Sequence, residues 1–238
     1  MLIAAAVCPH PPLLAPEVTG AYGPGVRDLG RLRTACRQAV AVLLGAAPDL
    51  LVVVGGAART AEYPPAAAGS LRDFAVPLTV GGPGAPVLPL SLTIAKWLLT
   101  GLPAAPPASW WGIASDAAPA ECLGLGEKLA VLAPRVALLA MGDGPGRRAR
   151  GAPGAADPGA DRYDQQVAAA LAVADPGALA ALGARPELFV AGRAAWQVLA
   201  GAASPGAAPD AFDADLHYAA APFGVSYYVA SWRRRGAQ

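Results

Sequence analysis

Leu2-Ile3-Ala4-Ala5-Ala6-Val7-Cys8-Pro9-His10-Pro11-Pro12 opens the chain and decides how the rest is read. The apolar run from Leu2 to Val7 is too short for a buried helix and suits a strand covered on both faces. Pro9, Pro11 and Pro12 forbid its continuation, because proline fixes φ and has no amide hydrogen to give a ladder. The stretch therefore predicts a core strand that delivers His10 to a rigid loop at its carboxyl end. Beyond it, Val26, Leu29, Leu32, Ala35, Ala39 and Leu43 recur at helical spacing over 26–46, and Gly45 and Pro48 stop the pattern. Leu50-Leu51-Val52-Val53-Val54 is a second apolar, β-branched run, ending at Gly55-Gly56. Strand, helix and apolar strand in that order predict a parallel βαβ unit.

The same reading extends along the chain. Phe74, Val76, Leu78 and Val80 alternate and suggest an edge strand, after a loop over 57–70. Helices are expected over 90–100, 120–132, 161–174, 177–183 and 187–202, and strands over 110–114, 135–141 and around Tyr218 and 223–230. The expected architecture is one α/β domain over 1–238, with a central mainly parallel or mixed sheet and helices on both faces. Glycine and proline gather over 144–160, which predicts a flexible internal loop, and Arg233-Arg234-Arg235 predicts a basic tail over 233–238.

Composition narrows the function classes. Of 238 residues, 55% are hydrophobic and 15% charged, which favours a packed body over a disordered chain. A net charge of +1 carries no polyanion-binding signature. The short run Arg147-Arg148-Ala149-Arg150 reads as a solvated patch. Cys8, Cys36 and Cys122 are an odd set without CxxC spacing, which points to reduced thiols and a cytoplasmic setting. The apolar start has no basic leader region and no apolar stretch reaches membrane-spanning length, so neither a signal peptide nor a span is expected.

Ligands of parallel α/β sheets bind beyond the carboxyl ends of the strands. Three predicted strands end in suggestive loops: Cys8-Pro9-His10-Pro11-Pro12, Gly55-Gly56-Ala57-Ala58-Arg59 and Gly142-Asp143-Gly144-Pro145-Gly146. His10, held between prolines, loses little freedom when it binds a ligand or moves a proton. Cys8, Pro9, Pro11, Gly55, Gly56, Gly142 and Tyr227 are expected to line the cleft. Cys8 is conceivable as a nucleophile near His10, although strand alternation turns it away. Gly81-Gly82-Pro83-Gly84 lacks the spacing of a nucleotide loop.

An apolar strand followed by Pro9-His10-Pro11-Pro12 resembles the start of class III extradiol dioxygenase catalytic subunits of the LigB type and their Memo relatives. The likeness continues, loosely, through Gly142-Asp143, Ala152-Pro153-Gly154, Asp161-Arg162-Tyr163-Asp164 and Gly224-Val225-Ser226-Tyr227. It implies the fold of that family, with His10 at the place of a first metal ligand. It also implies a second histidine after the strand ending at Val54, where this chain has Gly55, Gly56, Ala57 and Ala58. A further histidine of the family's Gly-Asp-x-Ser-His segment is replaced by Gly146. His217 resembles in position a metal-ligand cysteine of Memo proteins, so His10 and His217, with Asp143 or Glu62 as an oxygen donor, form the candidate metal set. Fe(II), another divalent transition metal, or no metal at all are the alternatives.

Two readings of function follow from the resemblance. In one, the chain keeps the scaffold and its cleft but lacks standard ring-cleaving chemistry, and it binds a small molecule or serves as an accessory protein to a protein partner. In the other, it is a metal-dependent dioxygenase or related oxidoreductase with a rearranged site around His10 and His217. A homodimer is compatible with either.

Overall fold

The structure, a computed structural model, describes residues 1–19, 25–102, 106–146, 158–204 and 211–236. The run Arg147-Arg148-Ala149-Arg150 and most of the expected flexible loop over 144–160 lie outside the described residues. The elements, in chain order, are β1 (Leu2–Cys8), α1 (Pro16–Thr19), α2 (Val26–Gly45), β2 (Leu50–Ala57), β3 (Ala61–Tyr63), β4 (Gly69–Ser70), β5 (Thr79–Val80), α3 (Leu90–Leu99) and β6 (Ala108–Ala114). There follow α4 (Pro119–Leu129), β7 (Val136–Met141), α5 (Pro158–Ala172), α6 (Pro176–Ala180), α7 (Arg193–Ala203), β8 (Phe212–Ala220) and β9 (Tyr227–Arg234).

Seven strands form one mixed sheet in the order β3-β6-β2-β7-β1-β9-β8. Its centre, β6-β2-β7-β1, is parallel, and β3, β9 and β8 add antiparallel strands at the two sides. Every residue of β1 and β7 is buried, as their unbroken apolar sequences require. Alternation along β1 sends Leu2, Ala5 and Val7 into one apolar layer and Ile3, Ala4, Ala6 and Cys8 into the other. A register shift between Leu2 and Ala4 accounts for the one break in that alternation. The chain is thus a single α/β domain with a hydrophobic layer on each face of the sheet.

Helix α2 covers one layer through Leu29, Leu32, Ala35, Cys36, Ala39, Val40 and Leu43, the predicted stripe with Cys36 and Val40 added and Val26 only half-buried. The opposite layer is built on α7, whose residues are all buried. It packs against α4 backbone to backbone: a Cβ at Gly126 would lie 2.0 Å from Val198 O, and one at Gly201 would lie 2.1 Å from Leu123 O. Both glycines are therefore fixed by the closeness of the two helices.

Four expectations are corrected. The alternating segment from Phe74 to Val80 is a 3-10 turn, Arg72–Phe74, leading into the two-residue strand β5. Pro77 has no hydrogen to donate, and the ladder shrinks to β5 against β4. The expected loop over 57–70 contains β3, the strand at one edge of the main sheet. The helix expected over 187–202 begins only at Arg193, because Phe189 takes a left-handed conformation (φ 51°) after the 3-10 turn Pro186–Leu188. Finally, Arg233 and Arg234 are the last residues of β9 rather than a tail. Arg234 Nε donates to Leu2 O at 2.8 Å, with its guanidinium 5.0 Å from the Phe212 ring centre, and Arg235 pairs with Asp213 at 2.6 Å. No helix among the described residues is long and apolar enough to cross a membrane.

Candidate functional site

Strands β1, β7 and β2 are neighbours and run parallel, so the loops after Cys8, Met141 and Ala57 leave the same edge of the sheet. The Gly142 amide donates to Cys8 O at 2.9 Å and ties the first two loops together. One residue further on, the backbone N–H of His10 donates to Asp143 Oδ1 at 2.8 Å. The imidazole stands over the same carboxylate, with Nδ1 3.6 Å from Oδ1, too long for an ordinary hydrogen bond. His10 is 8% exposed, and its Nδ1 is buried without a hydrogen-bond partner among the described residues. From the far side, the Gly192 amide donates to Asp143 O at 2.9 Å and anchors the loop to the start of α7.

The electrostatics follow from burial. Desolvation pushes the Asp143 carboxyl above its ordinary pKa, while the neighbouring His10 ring and the His10 amide pull it back. Tyr227, the first residue of β9, is buried, and its phenol is pushed well up by desolvation, then by the negative Asp143 and by Tyr218. Beneath the loop, Cys36 is pushed well up by its hydrogen bond to Cys8, by burial and, to a lesser degree, by the charge of Asp143. The Cys36 sulfur is therefore a thiol, not a thiolate nucleophile. Cys8 is fully buried in the same layer, and Pro9 and Pro11 are buried around His10.

Gly55 and Gly56, expected to begin a loop, continue strand β2 to Ala57, and there the chain leaves no room for a side chain. A Cβ at Gly55 would lie 2.5 Å from Ser91 Oγ and 3.3 Å from Met141 Cβ. Ser91 occupies that space and donates its hydroxyl to Gly56 O at 2.7 Å. Gly56 is nearly as confined, with Ala191 O 3.3 Å from its would-be Cβ, and Gly142 is buried against Gly192 and Trp196.

The remaining expected metal donors are elsewhere. His217 sits on β8, the outermost strand, separated from β1 by β9 and so roughly 10 Å away across the sheet. Its Nε2 is 2.8 Å from Ser231 Oγ. Glu62 lies on β3, at the opposite edge of the sheet from His217, and accepts a hydrogen bond from Ser109 at 3.0 Å. The structure brings together His10 and Asp143, with Tyr227 in electrostatic reach, and it brings neither His217 nor Glu62 to them. Among the described residues no group of three His, Cys, Asp or Glu could hold a metal ion. An Fe(II) site of two histidines and a carboxylate on one face does not fit the donors described.

A second polar cluster went unrecognised in the sequence. Asp164 accepts hydrogen bonds from Ser226 Oγ at 2.8 Å and from the Tyr228 hydroxyl, pinning α5 to the start of β9. Tyr228 also packs edge-on against Trp196, with ring centres 5.7 Å apart. The signal was available: Asp164 falls between Ala160, Tyr163 and Val167 on the buried stripe of α5, where a carboxylate demands partners. Next to it, burial pushes the Tyr163 phenol up to about 12.

No protein-family profile matches the chain, and no curated protein matches it. A solved structure does: the uncharacterized protein JW3007 from Escherichia coli K12 superposes with a TM-score of 0.54 at 15% identity, covering 97% of this chain and 99% of that one. At that identity the likeness shows the fold, over essentially the whole length of both chains.

Proposed function

We propose that this chain is a small-molecule-binding protein on a LigB-like α/β scaffold, working without the three-ligand iron chemistry of extradiol dioxygenases. The observation that carries the reading is the His10–Asp143 pair at the shared carboxyl edge of β1, β7 and β2, with a buried imidazole nitrogen that no described residue satisfies. Buried polar atoms are almost always paired, and an exception at a ligand-binding edge calls for a ligand. With the proton on Nε2, Nδ1 accepts a hydrogen bond, and Asp143 Oδ1 accepts another 3.6 Å away. Two acceptors at that separation suit adjacent hydroxyls, as in a catechol or a vicinal diol. The crowding at Gly55 and Gly56 supports the same reading, since these are two of the four positions, 55–58, at which the resemblance implies a second histidine, and neither has room for a side chain.

The test is metal content and catechol binding of protein purified anaerobically without chelators, alongside His10→Ala and His217→Ala. The expected result is catechol binding that His10→Ala abolishes and His217→Ala spares, with no stoichiometric metal and no oxygen uptake. Stoichiometric iron lost in both variants would overturn the proposal and install a metal-dependent oxidoreductase in its place.

A further inference from the structure

We infer that the groove between α2 and β8 binds a small organic carboxylate. Two adjoining cavities of about 490 and 540 Å³ open there, and Arg31, His217 and Tyr218 line both. Their size falls within the range of small-molecule sites, ~300–1,000 Å³. The site lies on the outermost strand of the sheet, apart from the His10–Asp143 edge, and the inference does not depend on the function proposed there.

Three features of the groove select the ligand. First, Arg27 and Arg31 project from α2 into it and make no hydrogen bond or ion pair among the described residues, so a planar guanidinium fork is available to an anion. Second, His217 is held in place through Nε2, which is 2.8 Å from the buried hydroxyl of Ser231. Its other ring nitrogen has no partner among the described residues and is not sealed from solvent, so it faces the groove as a second polar contact. Third, the Tyr218 ring and Leu216 give the groove an apolar wall, suited to the body of an organic acid. Asp28 shares the groove with the two arginines, which disfavours a dianion and leaves a monoanion as the better match. A carboxylate on an aromatic or aliphatic body satisfies all of these contacts.

Isothermal titration of the full chain with benzoate at low salt tests the inference, with benzamide and inorganic phosphate as comparison probes. Saturable one-to-one benzoate binding is expected, weakened at least tenfold in Arg31→Ala, weakened also in His217→Ala and in high salt, and unchanged in His10→Ala. Arg31 is exposed, so far-UV circular dichroism of its variant should match the parent. Absence of benzoate binding, equal binding of benzamide, or equal benzoate affinity in Arg31→Ala would overturn it. Tighter binding of phosphate would overturn the carboxylate assignment, and loss of benzoate binding in His10→Ala but not Arg31→Ala would move the ligand to the other site and overturn it too.

Discussion

Adding even a methyl group at position 55 should destabilise the protein, and the amount can be worked from three contacts. A Cβ on Gly55 would sit 2.5 Å from Ser91 Oγ, 2.7 Å from Ser91 Cβ and 3.3 Å from Met141 Cβ. Ser91 is 1% exposed on α3 and has nowhere open to turn, so α3 or the side chain must shift. Overpacking of this kind costs about 1–3 kcal/mol. Displacing Ser91 also breaks its 2.7 Å hydrogen bond to Gly56 O, costing about 1 kcal/mol more. The gain from replacing a strand glycine by alanine, about 0.5–1 kcal/mol, offsets part of this. Gly55→Ala should therefore lose roughly 1–3 kcal/mol, which for a chain of this size is a melting-temperature fall of about 2–4 °C per kcal/mol. Urea unfolding of Gly55→Ala, Ser91→Gly and the double variant measures it, with the midpoint falling and the m-value unchanged in Gly55→Ala. The double variant should be more stable than the sum of the single losses predicts, because Ser91→Gly removes the obstructing atoms. Gly55→Ala within about 0.5 kcal/mol of the parent, or strict additivity in the cycle, would refute the reasoning that Ser91 closes this position.

Two further outcomes concern half-buried carboxylates. Burial raises the pKa of Asp143 in the folded state above its unfolded value, so the folded protein holds that proton more tightly; its contribution to stability is present below the ordinary aspartate range and is lost as pH rises through the folded pKa. Asp143→Asn should flatten that loss in urea midpoints recorded between pH 4 and 8, and an unchanged pH profile would count against a desolvated carboxyl. Tyr228→Phe removes a hydroxyl that donates to Asp164; calorimetry should show a loss of about 1–3 kcal/mol, and a neutral result would mean that the Tyr228 hydrogen bond contributes nothing net to stability.

The legibility of this sequence was uneven, and the pattern has a physical basis. Leu2–Cys8, the part of β2 over 50–54 and Val136–Met141 were readable as strands because burial on both faces leaves only apolar residues to choose from, whereas the run of β2 on to Ala57 was not, since Gly55-Gly56 reads as a strand end. α2 was readable because its burial is one-sided and periodic. Phe74–Val80 misled because alternation of apolar residues is also what an exposed turn with a few anchoring side chains looks like, and Phe74 is in fact 41% exposed. The strand β3 was missed because a three-residue edge strand carries almost no pattern of its own.

By itself the sequence determined the α/β class, the presence of a prolyl-fixed histidine at a strand end and the limit of one further histidine, His217, that could join it, since these depend on local covalent constraint and on composition. Only the tertiary structure decided the partners. Strand order is a long-range property, and it set β7 beside β1, so that Asp143 met His10 across 133 positions of sequence. The same order carried β9 between β1 and β8, so that His217 met Ser231 and the arginines of α2 instead. No spacing along the chain encodes that choice, because strand order joins residues far apart in sequence and depends on how whole elements pack into the two apolar layers.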